Sequence, residues 1–287
     1  MIKINNLKKV FDNKTVLSEM SINIDSGTIF GLIGSNGSGK STLLRLLSGV
    51  ISPDGGSIEI ENIILSDEVS LRHKIFYLSD NPPHGNFTTF NDLYELYSMF
   101  YSMDESIYKE ILNMFNLDAG LELSKCSKGM KRQGYLALAF ATNAKYLLLD
   151  EAFDGLDPKA RLKFRQYLMK QFDEDKIIII SSHSLRELED VCDSFGLIDN
   201  GHFISYGNIS EVISHVKKYR VISSHTDHKV YNNEADFLHI KKDGRVYTLF
   251  EHHNRDIHDL LIKEHVLAVD ALEMTFEEYF IIQDKAV

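Results

Sequence analysis

Gly34-Ser35-Asn36-Gly37-Ser38-Gly39-Lys40-Ser41-Thr42, GSNGSGKST, follows the apolar run Ile29–Ile33 and opens STLLRLLSGV, whose apolar residues recur at helical intervals. Three glycines within six positions are a costly choice, because glycine loses the most backbone freedom on folding. They are justified where something must approach the main chain closely. The pattern Gly34-x-x-x-x-Gly39-Lys40-Ser41, placed after a strand and before a helix, is that of a phosphate-cradling loop. The glycines let successive N–H groups point into one concavity, and the helix N-terminus adds positive potential to it. Lys40 would reach the outer phosphates and the Ser41 hydroxyl would complete a Mg²⁺ shell. A glycine-rich turn preceding a helix by chance is the plain alternative; the strand–loop–helix context favours the nucleotide.

A second stretch supplies what a triphosphate site lacks. In YLLLDEAFDGLDP (146–158), Tyr146–Leu149 is apolar at consecutive positions, the signature of a parallel strand buried on both faces. Asp150 at its end can hold Mg²⁺ through water, and Glu151 is placed to polarise the water that attacks a γ-phosphate. KIIIISSH (176–183) has the same texture and ends on His183, whose imidazole could bridge that water and the γ-phosphate. The C-terminal ends of parallel strands are where open α/β sheets bind ligands. Without the glycine loop, an acidic turn capping the next helix would explain Asp150 and Glu151 equally well.

The remaining chain fits around these stretches. Residues 1–33 read as strands, 57–65 as another, 90–117 as two helices, 130–143 and 157–172 as further helices. The β-α-β order around 146–183 predicts an α/β fold with a parallel sheet. From about residue 216 the texture changes. FLHIKKDGRVYTLF (237–250) reads as a hairpin with Asp243-Gly244 at its tip, and Thr275 with Glu278 forms a capping box. Residues 216–287 are therefore expected to be a small α+β extension.

Composition bounds the class. The 287 residues are 44% apolar and 25% charged, an ordinary globular balance. A net charge of −11 argues against wholesale nucleic-acid binding. Two cysteines, Cys126 and Cys192, give no disulfide framework. The opening MIKINNLKKVFDNK lacks the apolar core of a signal peptide, and the apolar runs fall short of the ~20 residues of a spanning helix, so a soluble chain in a reducing cytosol is expected. Eight of twelve histidines, among them His225, His228, His252 and His253, lie at or after His215. Without cysteines or an i, i+4 histidine pair beside them, they read as solvated surface groups rather than a metal site.

These motifs together resemble the ATP-binding subunits of ABC transporters. GSNGSGKS resembles Walker A, YLLLDE Walker B, DGLD (154–157) the D-loop and His183 the switch histidine. CSKGMKRQ (126–133) resembles the signature motif that other P-loop NTPases lack, with Ser127 and Gly129 at its key serine and second glycine, while Lys128 and Met130 depart from the commonest form. Phe11 stands where the family stacks an aromatic on adenine. In YLSDNPP, Asp80 replaces the family's usual Gln; a carboxylate there can still ligate Mg²⁺ or water.

The resemblance covers residues 1–215. It implies a RecA-like P-loop core, an antiparallel β subdomain and a helical subdomain at about 82–135. It also implies a head-to-tail dimer with ATP and Mg²⁺ between two copies, or between this chain and a paralogous ATPase. Ser127 and Gly129 of one chain would then face the loop Gly34–Thr42 of the other, while Ser35, Asn36, Ser38 and the D-loop residue Asp157 are further expected nucleotide-binding residues. Export through separate membrane subunits, from the cytoplasmic face, would follow, with LYELYSMFY (93–101) as a candidate docking helix. SKGMKR is closest to drug, lantibiotic and peptide exporters, one family of which carries phenol-soluble modulins. A soluble ABC ATPase working on ribosomes or DNA, and a regulator that no longer hydrolyses ATP, are the alternatives.

Overall fold

A computed structural model describes residues 1–224, 237–252 and 266–285. Two units divide the chain, Met1–Tyr206 and Gly207–Val287. The first runs β1 (Ile2–Phe11), β2 (Lys14–Ile24), β3 (Thr28–Ile33), α1 (Lys40–Leu47), β4 (Gly55–Ile60), β5 (Ile63–Ile64), β6 (Ile75–Leu78), α2 (Phe90–Ser98), α3 (Glu105–Phe115), α4 (Lys128–Ala141), β7 (Tyr146–Leu149), α5 (Pro158–Gln171), β8 (Ile177–Ser182), α6 (Leu185–Glu189) and β9 (Ser194–Asp199). β10 (His202–Asn208) ends across the division.

Six strands in the order β10-β9-β3-β8-β7-β6 make the central sheet, and β6, β7, β8, β3 and β9 are parallel where they pair. The α/β expectation holds. All six residues of β8 and all four of β7 are buried, as the unbroken apolar runs require. Alternation then sorts them: Ile177, Ile179, Tyr146 and Leu148 join a core with Phe30 and Leu32 of β3 and the Leu43, Leu44, Leu46 and Leu47 face of α1. The antiparallel sheet β2-β1-β4-β5 closes that core with Ile2, Ile4, Leu17, Ile22, Ile58 and Ile60. The expected strand at 57–65 is broken into β4 and β5 by Glu61 and Asn62, both at positive φ.

The helices α2, α3 and α4 form the helical part. Thr89 and Asp92 build a capping box on α2, the Asp104 carboxylate accepts from the first-turn N–H groups of Ser106 and Ile107 on α3, and Ser127 caps α4. Every residue of α4 from Gly134 to Ala141 is buried. Gly134 permits a close crossing, since a Cβ there would lie 2.1 Å from Cε1 of Phe90 at the start of α2. Gly134→Ala is accordingly expected to lower stability by about 1–3 kcal/mol through overpacking. Urea unfolding checks this, and an unchanged midpoint would contradict the tight crossing.

The second unit carries α7 (Ile209–Ser214), β11 (Val216–Ser223), β12 (His239–Asp243), β13 (Val246–His252), β14 (Val266–Leu272) and α8 (Phe276–Lys285), with sheet order β12-β13-β11-β14. The break falls nine residues before the expected 215/216 junction. Ile213 of α7 packs on Val216, Phe250, Met274 and Ile282, so α7 belongs to the second core. The hairpin tip is shifted by one residue from the expected Asp243-Gly244. Asp243 pairs with Val246, leaving Gly244-Arg245 as the loop, with Gly244 at φ 59°. The capping box is formed: the Glu278 N–H donates to Thr275 Oγ1 at 3.2 Å and the Thr275 N–H to Glu278 Oε2 at 3.1 Å.

Candidate nucleotide site

The loop Gly34–Gly39 joins β3 to α1 and enters the helix without a side-chain cap: Gly39 is the N-cap and makes no side-chain bond. α2, α3, α4 and α5 are each capped by a side chain. The first-turn N–H groups of α1 are thus left for a ligand. Gly37 sits at φ 83° with open space where a Cβ would be, so the need there is conformational. At Gly34 the need is spatial, because a Cβ would lie 2.4 Å from Ile198 O and 2.5 Å from Ser38 Oγ. That Ser38 hydroxyl is buried and has no hydrogen-bond partner among the described residues. An orphaned donor beside the uncapped first turn of α1 suits a polyphosphate.

Lys40 is 6% exposed and folds back over the loop, donating to Gly34 O at 2.7 Å and Ser35 O at 3.2 Å. An ammonium has three donors, so one remains for a phosphate. Its Nζ lies 3.6 Å from Glu151 Oε1. The other Glu151 oxygen, Oε2, accepts from His183 Nδ1 at 3.1 Å. Lys40, Glu151 and His183, which come from three separate stretches of chain, thus meet around one carboxylate. A cavity of about 320 Å³ opens here, walled by Val16, Asn36, Gly37, Gly39, Lys40, Ser41, Thr42, Asp80 and Glu151.

Asp150 is 1% exposed at the end of β7. Ser181 of the neighbouring β8 holds both acidic residues, donating from Oγ to Asp150 Oδ1 at 2.6 Å and accepting the Glu151 N–H at 2.8 Å. The Tyr77 hydroxyl donates to Asp150 Oδ2 at 3.4 Å; burial first, then the Asp150 charge, push the Tyr77 phenol up to about 12. Glu151 stands at φ 50°, an uncommon backbone for a residue with a side chain, of the kind that collects at functional turns. Sequence reasoning missed Ser181 and Tyr77. The signal for Ser181 was a pair of hydroxyls closing an otherwise all-isoleucine strand.

The signature-like segment is arranged differently within one chain. Ser127 Oγ accepts from the Met130 N–H at 3.2 Å, capping α4. Gly129 faces Gly155 so closely that a Cβ would lie 2.5 Å from its carbonyl oxygen. Lys128 pairs with Asp154, and that hydrogen bond holds the Asp154 carboxyl below the usual carboxylate range. Asp157 caps α5 through the Ala160 N–H at 2.8 Å. Ser127, Gly129, Asp157 and Phe11 do not line the 320 Å³ cavity. Phe11 is 42% exposed, with the Lys9 ammonium 5.1 Å from its ring centroid.

The donor set fits a nucleotide with Mg²⁺: uncapped N–H groups and a lysine for phosphate, the Ser41 hydroxyl with buried Asp150 for the metal, and Asp80 on the cavity wall. Among the described residues no group of three His, Cys, Asp or Glu is placed to hold a metal by itself. Of the late histidines, His225, His228 and His253 lie outside the described residues, while the His239 ring stacks on Phe250 with centroids 6.0 Å apart.

A strand–glycine loop–helix with an acidic pair after β7, one strand removed from β3 in the same parallel sheet, defines a P-loop nucleotide-binding protein. Comparisons narrow the class. The family described as ABC transporter matches residues 17–154. The lantibiotic transport ATP-binding protein SrtF of Streptococcus pyogenes is 35% identical over 208 residues, 71% of this chain and 89% of that protein. The ABC transporter ATP-binding protein YtrB of Bacillus subtilis is 29% identical over 251 residues, 87% and 86% of the two chains. A solved structure of an ATP-binding subunit of an ABC transporter superposes with a TM-score of 0.65 at 27% identity, covering 74% of this chain and 91% of the other. This chain belongs to the ABC transporter ATP-binding proteins.

Proposed function

We propose that this chain hydrolyses ATP with Mg²⁺, closes as a dimer around it, and drives export through separate membrane subunits from the cytoplasmic face. The observation that carries the reading is the Glu151 carboxylate set between Lys40 at 3.6 Å and His183 at 3.1 Å on the wall of the glycine-loop cavity. Lys40, the loop N–H groups and Thr42 bind the triphosphate; Ser41 and Asp150 would hold Mg²⁺, which neutralises phosphate charge, and Asp80, its Oδ1 bonded by Arg132, borders the same cavity. Glu151 orients the attacking water and takes its proton, while His183 fixes the carboxylate. Phe11 stacks on the base.

In a single chain Ser127 and Gly129 do not line the 320 Å³ cavity. A second copy, or a paralogous ATPase, would bring its own Ser127, Gly129 and Asp157 over the γ-phosphate. Each charge-assisted bond contributes about 1.5–3 kcal/mol, so several can close the dimer and their loss on cleavage can open it. No helix among the described residues is long and apolar enough to cross a membrane, which leaves that task to a partner. Leu96, Met99 and Phe100 are exposed on and just after α2, whereas Tyr97 and Tyr101 pack edge-on against Phe76. The exposed set is the surface offered to that partner. The similarity to a lantibiotic transport protein supports a peptide-type cargo, of which amphipathic phenol-soluble modulins are the specific suggestion.

Complementation tests the shared site. Ser127→Asp preserves a good helix cap while placing negative charge against phosphate. It and Lys40→Ala should each be inactive alone. Mixed in equal amounts, they should recover roughly a quarter of wild-type turnover, because half the dimers carry one intact composite site. No recovery would refute the head-to-tail arrangement of two copies.

A further inference from the structure

Arg132 is 3% exposed, on the face of α4 one turn beyond Lys128. Its guanidinium reaches into the ends of the central sheet and finds four acceptors. Nη1 donates to Ser79 O at 3.2 Å and Asp150 O at 3.3 Å, and Nη2 to Asp80 O at 2.6 Å and Asp80 Oδ1 at 3.1 Å. Two of these groups, Ser79 and Asp80, follow β6, and the third, Asp150, follows β7. One buried cation therefore bonds the signature-like helix to both strand ends that frame the nucleotide cavity.

Burial works against a lone guanidinium, and Asp80 is its hydrogen-bonded counter-charge. The neighbouring Lys128 makes a second bond of the same kind to Asp154, in the turn after Glu151. Lys128 and Arg132 thus present two carboxylate-paired cations on one helix face. Between them and the β6 end lies a polar cavity of about 410 Å³ that His84, Lys131 and Tyr135 also line. Asp80 stands on the wall of this cavity and of the 320 Å³ nucleotide cavity alike.

We propose that Asp80 and Arg132 form an ionic clasp fastening α4 to the loops after β6 and β7, and that both are positioning residues for the catalytic carboxylates. The carboxylate at position 80 is present as the partner of Arg132. An amide could accept the same hydrogen bond but would remove the buried guanidinium's direct ion pair, leaving Asp154, Asp150 and Glu151 to balance its charge without one.

A double-mutant cycle on the full chain tests this; its kinetic arm rests on the proposed ATPase activity. Asp80→Asn should lower kcat about tenfold while the KM for ATP stays within about twofold, because Lys40, Ser41, Thr42 and Asp150 still bind the nucleotide and its metal and only the carboxylates' setting is disturbed. Adding Arg132→Gln, which removes the stranded charge, should restore kcat to within about threefold of wild type. Multiplying losses in the double variant would overturn the clasp. So would a raised Mg²⁺ requirement in Asp80→Asn that persists when residue 132 is also changed, since that behaviour belongs to a metal ligand. Hydrogen exchange on the nucleotide-free chain reads the same clasp without any turnover. Asp80→Asn should speed exchange of amides 79–81 and 129–133 about tenfold, and the second substitution should reverse it. Unchanged exchange would sink the clasp even if hydrolysis were normal, and a wild-type chain without turnover would sink only the ATPase reading.

Discussion

Replacing Lys40 by alanine is expected to cut ATP hydrolysis by at least about a hundredfold, the loss typical of removing a preorganised donor from developing charge. The structure assigns this side chain two tasks. Its ammonium holds the carbonyls of Gly34 and Ser35, fixing the curvature of the loop, and it lies 3.6 Å from Glu151 Oε1. Alanine removes the positive charge of the pocket and releases both carbonyls. A triphosphate would then meet a looser loop with Glu151 close by and less compensating charge. The measurement is phosphate release under saturating ATP and Mg²⁺, with circular dichroism to confirm folding. Turnover within threefold of wild type would refute the assignment of Lys40.

Glu151→Gln is expected to lower hydrolysis by about 10²–10⁴, the contribution of a positioned general base. Its second consequence separates it from Lys40→Ala. Glutamine has the size of glutamate and can keep a neutral contact to His183 Nδ1, now 3.1 Å from Glu151 Oε2. Nucleotide binding should survive, and ATP should accumulate uncleaved. An ATP-bound dimer is then expected to persist, seen by light scattering as a doubling of mass that Lys40→Ala does not show. A single-chain mass in saturating ATP and Mg²⁺ would contradict both the base assignment and the proposed ATP-driven closure.

Much of the site was legible before any coordinates. A glycine loop between an apolar strand and an amphipathic helix is a local pattern, and its spacing carries its own chemistry. The acidic pair after Leu149 and the histidine after Ser182 were legible for the same reason, because runs apolar at every position mark parallel strands buried on both faces. The caps at Ser127 and Asp157 went unread although they are equally local, since both bond to N–H groups three residues on whatever the rest of the chain does. The dimer roles proposed for those two residues came from the family resemblance rather than from local pattern, and each is occupied as a cap within its own chain.

Contacts between distant stretches were hidden. Ser181 holding Asp150 depends on β8 lying beside β7 in register, with Leu149 opposite Ile180. Arg132 sits 52 residues from the Asp80 that balances its charge. The 206/207 division escaped notice because α7 is short and its Ile213 finds a core only through Phe250, Met274 and Ile282.

Residue order alone determined the elements, their caps and the phosphate-binding loop, because helical period, strand burial and glycine spacing are set within a few positions. Only tertiary structure decided which strand ends became neighbours. The order β3-β8-β7-β6 gathers residues near 34, 182, 150 and 79 from remote parts of the chain. Parallel pairing through crossovers leaves the choice of neighbour to packing, and packing placed the buried Arg132 against Asp80 and the Asp150 carbonyl.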